Sequence, residues 1–290
     1  MKIEKVKFKN LDFFLLRDDL LGRDLCDEFN GNKARKLEYF LHADLTHYDT
    51  IISNGSSQSN AMYSLSVFAK LKGLKFKYVI SYLNSNLAKN PVGNFKFALE
   101  NGMEYFISPN RRNFALSLVD KKTIFIEEGV AQKEAEIGFI SQAKDISQFA
   151  KNNDIKFDIF LPSGTGTSVG YLAKNSEFNI FTCPCVGDKE YLKKQLGNLN
   201  LGNLKNLFIL NPPKKYHFAK PKKELFKIYK ELFNETGIEF DLVYDPVGFL
   251  TVLSNLNEFK NPLLYIHQGG ILGNISQIER YQYKGLLWNF

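Results

Sequence analysis

Lys33 lies directly behind Gly31 and Asn32 in the run NGNKARKLEYF (residues 30–40), a setting that suits amine chemistry. Gly31 and Asn32 predict a tight turn, which puts Lys33 in the first turn of a helix beside Arg35 and Lys36. Neighbouring cations and partial burial lower an ammonium pKa and expose the free amine that a nucleophile or base requires. The plain alternative is an ordinary helix-start lysine, since the chain carries many lysines. A second feature is Ser163-Gly164-Thr165-Gly166-Thr167-Ser168, directly after the strand-like FDIFLP and before VGYLAKN. Its glycines let a phosphate approach the backbone, while hydroxyls and helix-start N–H groups supply donors. No Gly-Lys-Ser/Thr follows, so it is not a P-loop, and a ligand-free tight turn is the alternative.

Two further loops end apolar strands. In IISNGSSQSN (51–60), Ser59 or Asn60 would serve as a helix N-cap, and the same geometry aims hydroxyl and amide groups at a polar ligand. His267-Gln268-Gly269-Gly270 after LLYI forms either a purely conformational turn or one wall of a pocket. His42 and His47 read as ordinary surface histidines, and nothing in the sequence pairs with His217. The chain has no HExxH, nucleophile elbow or paired-carboxylate pattern. It offers an amine, a phosphate cradle and donor-rich loops.

These loops need rigid elements to hold them. Strands are predicted at 13–17, 50–53, 76–81, 104–107, 123–126, 159–161, 180–183 and 263–266. Helices are predicted at 33–43, 60–71, 94–101, 136–151, 170–174, 222–235 and 249–257. Such alternation favours right-handed βαβ units, hence an α/β protein with two open, mostly parallel sheets and flanking helices. One strand-helix block runs from about Leu37 to Asp120 and a second begins near Gly138. With no Pro-rich linker between them, a ligand is expected where the blocks meet.

At 290 residues, 44% apolar and 24% charged, the chain has the composition of a globular protein with a generous core. The net charge of +7 is mostly lysine spread along the chain, with no compact basic helix, so nucleic acid is not an expected partner. No apolar run long enough for a membrane span is present, and the polar start MKIEKVKFKN is unlike a signal peptide. Cys26, Cys183 and Cys185 make no disulfide framework and no zinc pattern, which fits a reducing cytoplasm and no metal.

Together, NGNKARKLEYF, IISNGSSQSN, SGTGTSVG, the DPV at Asp245–Val247 and YIHQGG resemble the 1-aminocyclopropane-1-carboxylate deaminase and D-cysteine desulfhydrase family. The match runs in order from about Leu16 to Gly270. The resemblance implies a pyridoxal 5'-phosphate enzyme of the tryptophan-synthase-β-like fold (type II) acting on a small amino acid. It implies Lys33 as the Schiff-base lysine, Asn60 on the cofactor's phenolic oxygen and Ser59 beside the substrate. The phosphate would lie on Ser163, Gly164, Thr165, Gly166, Thr167 and Ser168. It also implies a small domain over 37–137, a large one from 1–36 with 138–290, and a homodimer.

One departure stands out against that family. Its DPVYEG or DPVYTG stretch reads DPVGFL here, putting Gly248 where a tyrosine approaches the substrate and Phe249 where an acid or threonine faces the pyridine nitrogen. Phenylalanine cannot bond that nitrogen, which ranks β-elimination to a 2-oxo acid and ammonia above cyclopropane ring opening. A relative that binds cofactor without turnover is a further reading. A nucleotide-binding enzyme would need an acid about 20 residues past the glycines, and Asp188, near that spacing, follows the Cys183-Pro184-Cys185 turn.

Overall fold

The computed structural model describes residues 1–22 and 25–287. Among these, ten strands run as β1 (Ile3–Phe8), β2 (Leu11–Arg17), β3 (Thr50–Gly55), β4 (Lys75–Ile80), β5 (Met103–Ile107), β6 (Thr123–Ile126), β7 (Asp158–Phe160), β8 (Asn179–Thr182), β9 (Leu207–Ile209) and β10 (Leu263–His267). One sheet has six strands in the order β1-β2-β10-β7-β8-β9, the other four in the order β5-β4-β3-β6. Only the β1–β2 hairpin is antiparallel; every other pairing is parallel.

The helices of the described residues are α1 (Gly31–Lys36), α2 (Glu38–His42), α3 (Asn60–Lys72), α4 (Ser85–Lys89), α5 (Gly93–Glu100), α6 (Arg111–Ser117), α7 (Glu136–Asn153), α8 (Thr167–Lys174), α9 (Lys189–Asn198), α10 (Lys223–Thr236), α11 (Asp245–Ser254) and α12 (Gly273–Tyr283). They cover both faces of the six-stranded sheet because successive strand residues point to opposite sides. Leu16, Ile159, Leu264 and Ile266 join Phe139, Ile146 and Leu172 on one face. Their neighbours Leu15, Phe160 and Tyr265 join Leu232 and Phe249 on the other. In the four-stranded sheet, β3 is buried along its whole length, as a central parallel strand must be.

The expected strands and long helices are present, with three differences. The predicted helix 33–43 is two helices broken at Leu37, whose φ of −95° and ψ of 1° leave the helical well while its side chain stays fully buried. The helix expected from Phe249 begins four residues earlier at Asp245, with Pro246 in the first turn where a missing N–H is harmless. Strands β1 and β9 and helices α4, α6, α9 and α12 are additional.

Helix α1 is fixed from behind by a buried ionic cluster. The Arg35 guanidinium donates to both carboxylate oxygens of Asp18 at 2.5 and 2.6 Å, and Gln142 Nε2 on α7 donates to the same carboxylate at 2.7 Å. All three side chains are at most 3% exposed. Removing one partner of such a cluster strands the other charge in the interior. Asp18→Ala is therefore expected to lower stability by about 3 kcal/mol in equilibrium urea unfolding; a loss below about 0.5 kcal/mol would contradict this account.

Candidate active site

The carboxyl ends of β2, β3, β7, β8 and β10 open towards one cavity of about 1400 Å³, where an open parallel sheet gathers its ligand loops. Lys33, Ser59, Asn60 and all of Ser163–Ser168 line it, so the structure brings together each of the residues expected from the sequence.

Lys33 is placed by a close approach of two backbones. Asn32 N–H donates to the Gln268 carbonyl at 2.9 Å, and a Cβ added to Gly31 would fall 2.3 Å from that carbonyl oxygen. Gly31 also has φ +68°, so glycine is required there twice over. Asn32 Nδ2 donates to Gln268 Oε1 (3.0 Å) and to Ser168 Oγ (3.3 Å), tying α1 to the turn after β10 and to the start of α8. Lys33 Nζ donates to Asn32 Oδ1 at 2.9 Å. Withdrawal from water pulls the Lys33 ammonium down to about 8, against the opposing pull of the Asp241 carboxylate. Crowding by Arg35, expected from the sequence, is muted because Asp18 neutralises that guanidinium.

The Ser163–Ser168 loop is built as an anion cradle. Thr182 Oγ1 on β8 donates to the Leu161 carbonyl and accepts from the Ser163 hydroxyl, both at 2.7 Å, and Ser163 N–H donates to the Cys183 carbonyl. Gly166 caps α8 at φ +76°, and the Thr165 and Thr167 hydroxyls lie 2.9 Å apart at the helix start. The first N–H groups of α8 are thus presented to the cavity end that an anion would take. Lys36, missed as a site residue by sequence reasoning, faces the same space. It is 3% exposed, bonds only the Gly129 carbonyl at 2.9 Å and forms no ion pair among the described residues. Burial, then the nearby Lys33 charge, pushes its pKa well down. Gly129 in turn lies against Thr165. A buried lysine without a carboxylate beside a donor-rich loop has its charged form restored when an anionic ligand joins it.

Ser59 realises its N-cap role, accepting from Ala61 N–H (3.1 Å) and Met62 N–H (3.4 Å), with its hydroxyl in reach of the buried Tyr78 oxygen. Asn60 follows as the first residue of α3. Asn94 Nδ2 donates to Asn60 Oδ1 at 2.6 Å, so the Asn60 amino group turns the other way, towards Gly270 and Asp241.

The expected departure at Gly248 and Phe249 is corrected by the structure. Phe249 is fully buried, stacked 4.2 Å from Tyr265 and edge-on to Phe8, Phe13 and Phe240, and it does not line the cavity. A Cβ on Gly248 would lie 2.6 Å from the Tyr265 hydroxyl, again inside the core. Tyr244 and Asp245, four residues upstream, line the cavity instead. Asp241-Leu242-Val243-Tyr244-Asp245 carries the acid, Val-Tyr, acid order of the family stretch; the Asp-Pro-Val match had set the register one helical turn late. Gln268 and Thr251, the nearby polar side chains that could otherwise meet a ring nitrogen, are committed elsewhere: Gln268 Nε2 to the Pro162 carbonyl and Thr251 Oγ1 to the Val247 carbonyl, both at 2.8 Å.

Asp241 and Asp245 are each buried. Asp241 accepts from Val243 N–H (2.7 Å) and Tyr244 N–H (2.6 Å), yet burial raises it to about 6. Asp245 accepts from the Tyr265 hydroxyl at 2.8 Å and from Asp241 N–H at 3.0 Å. Burial, then the Asp241 charge, pushes it well above the carboxylate range. Such an acid favours a nearby cation or proton donor.

The remaining candidates have structural places. Asp188 caps α9, accepting from Tyr191 N–H at 2.9 Å, and does not line the cavity, which removes the acid a nucleotide reading would need. His267 is buried against Phe240; its Nδ1 accepts from Gly269 N–H (3.1 Å), so Nε2 donates to the Glu239 carbonyl (2.8 Å) and the ring shapes the Gly269-Gly270 turn. Cys183 and Cys185 are buried and unbridged. No helix of the described residues is long and apolar enough to cross a membrane.

No family model matches the chain. It is 25% identical over 292 residues to a protein of Thermotoga maritima described as a putative 1-aminocyclopropane-1-carboxylate deaminase, covering 93% of this chain and 92% of that one. The crystal structure of an ACC deaminase homologue superposes with a TM-score of 0.78 at 22% identity, covering 99% and 94% of the two chains. A hydrogen sulfide-producing enzyme from Fusobacterium nucleatum gives 0.64 at 13% identity over 94% and 95%. O-ureido-L-serine synthase gives 0.69 at 13% over 99% and 94%. The resemblance read from the motifs is borne out by the relative, and the expected tryptophan-synthase-β-like architecture by the solved structures.

The amine is open to direct measurement. In protein reductively methylated with 13C-formaldehyde, a lysine resonance is expected to titrate near 8, far below those of the exposed lysines, and to vanish in Lys33→Ala, while the depressed resonance of Lys36 persists. Because the Asp241 charge raises this pKa, Asp241→Asn should move the midpoint further down; an upward move would contradict the assignment.

Proposed function

We propose that this chain is a pyridoxal-phosphate enzyme that deaminates a small amino acid, releasing ammonia and a 2-oxo acid. The observation that carries the reading is that Lys33, Lys36 and Asp245 line one cavity: a depressed amine, a buried lysine with no carboxylate partner and a buried acid with no cation partner among the described residues. The cofactor fits that set. Ser163–Ser168 and Lys36 would hold its phosphate, Lys33 its aldehyde carbon, Asn60 its phenolic oxygen and Asp245 its ring nitrogen. When bound, it supplies an electron sink for charge developing at the substrate α-carbon.

The chain's own residues supply the rest. Lys33 Nζ, free of its proton above about 8, takes the α-proton and can return it. Ser59 would donate its hydroxyl proton to the substrate carboxylate or beside the reacting carbon, turning from the Tyr78 oxygen to do so. Tyr244, with its hydroxyl 3.2 Å from the Cβ position of Gly164, closes the wall over the reacting groups. Asp245 holds a proton against the ring nitrogen, and its Tyr265 bond fixes which way that oxygen points. We extend the proposal, on the family resemblance, to a homodimer with a small unit at 37–137 set against 1–36 with 138–290.

Two chemistries compete. β-Elimination, as in D-cysteine desulfhydration, needs only the amine and a good leaving group. Cyclopropane ring opening leans on a tyrosine at the substrate and an acid at the ring nitrogen, and Tyr244 and Asp245 at the cavity wall favour it as the second reading. The same pair weakens the idea of a cofactor binder without turnover. Incubation with D-cysteine, L-cysteine, D-serine, β-chloroalanine and 1-aminocyclopropane-1-carboxylate separates them, since elimination yields pyruvate and ring opening yields 2-oxobutyrate. Whichever product forms, Asp245→Asn is expected to lower kcat by about a hundredfold. Undiminished turnover in that variant, or no product from any of these compounds, would contradict the reading.

A further inference from the structure

Beyond the reacting groups, one side of the cavity is a single face of α12. Gly273, Ser276, Gln277 and Arg280 all line it, at the i, i+3, i+4, i+7 spacing of one helical stripe. The inner end is fixed: a Cβ on Gly273 would lie 3.0 Å from Asn60 Oδ1, so this turn touches the groups around the reacting centre. The outer end is a cation. Arg280 Nη1 donates to Gln277 Oε1 at 3.0 Å, and among the described residues Arg280 forms no ion pair. The other cavity arginines differ: Arg111 is paired with Glu128 at 2.6 Å and Arg112 with Glu127 at 2.5 Å. Arg280 therefore has charge to spare where its neighbours have none.

Its support is built in. Gln277 is 4% exposed, and its Nε2 donates to the Ala219 carbonyl at 3.1 Å, which turns Oε1 outward to the guanidinium. Ala219 adjoins Phe218, whose ring packs 5.6 Å from Tyr244, so the opposite wall is aromatic. Helix side chains lean towards the N-terminus, so Arg280 reaches back towards the reacting centre, as its bond to Gln277 shows. From Gly273 to Arg280 the helix rises about 10 Å. An α-carboxylate sits beside the reacting carbon and does not span that distance; a side-chain terminus does.

We propose that Arg280, oriented by Gln277, forms a subsite for a second anionic group, so that the preferred amino acid carries a carboxylate or similar oxyanion at the far end of its side chain. The proposal rests on the reading of this cavity as an amino-acid site. The guanidinium fork matches a carboxylate in two parallel hydrogen bonds, which a neutral amide cannot reproduce.

The test compares S-carboxymethylcysteine with its neutral isostere S-carbamoylmethylcysteine, each as both enantiomers, by isothermal titration at low salt. The protein is used as purified and supplied with pyridoxal phosphate. Both compounds share an α-carboxylate, so only the tail differs. The acid is expected to bind about tenfold more tightly than the amide. That ratio should fall to about one in Arg280→Gln and keep an intermediate value in Arg280→Lys, which retains charge without the fork. Equal affinities in the natural protein, binding of neither compound, or an unchanged ratio in Arg280→Gln would overturn the subsite. Where the compounds are turned over, the ratio is read from KM for 2-oxo acid release, and where they are not, from the titration, so a ratio that follows residue 280 in protein making no 2-oxo acid supports the subsite and tells against the elimination reading alone.

Discussion

The contact between Gly31 and the Gln268 carbonyl decides where the chemistry of this molecule can occur. Helix α1 comes so close to the turn after β10 that no side chain fits between them. A main-chain bond from Asn32 to Gln268 holds the approach on the cavity side, and the Arg35–Asp18–Gln142 cluster holds it from behind. Between these restraints Lys33 points into the cavity, where it is largely withdrawn from bulk water. Its low pKa follows from desolvation that the scaffold enforces, since a mobile helix end would let the ammonium return to solvent. The stability of the buried ion cluster and the reactivity of the amine are in this sense one design.

The cavity is also unbalanced in charge in a spatially ordered way. Lys36 at the Ser163–Ser168 end has no carboxylate among the described residues, while Asp245 at the β10 side has no cation. Each pays a desolvation cost that hydrogen bonds only partly offset. A ligand with an anionic tail and a protonatable ring nitrogen relieves both costs, and it does so only if its reactive carbon comes to Lys33. Binding and alignment then draw on the same electrostatic terms, which is how a pre-formed polar site avoids reorganising when the ligand arrives.

Much of this was legible in the sequence because the residues concerned are set by local rules. Apolar, β-rich runs located eight strands, and loops such as SGTGTSVG declared their donors and glycines. Three things were not legible. Strand β1 reads as a lysine-rich polar segment because an edge strand in a hairpin buries little of itself. Helix α12 has a polar sequence with no strong apolar stripe, so Ser276, Gln277 and Arg280 gave no signal as cavity residues. The register at 241–249 went wrong because Pro246 completed a familiar letter match. Which side chains face the cavity depends on where α11 begins, and that start at Asp245 leaves Tyr244 and Asp245 on the cavity wall while Gly248 and Phe249, a turn later, enter the core. Of the two causes expected to lower the amine pKa, burial acts, while crowding by Arg35 is muted because its pairing with Asp18 is a contact between segments that spacing alone does not reveal.

The central claim is that one amine, and no other, meets an aldehyde whose phosphate rests in the Ser163–Ser168 cradle. Borohydride reduction of the protein with equimolar pyridoxal phosphate, followed by peptide mapping by mass spectrometry, addresses this most directly. The account predicts stoichiometric phosphopyridoxyl label on Lys33, lost when inorganic phosphate competes at high concentration. Label on Lys36 in place of Lys33, or label scattered over surface lysines at substoichiometric levels, would contradict it.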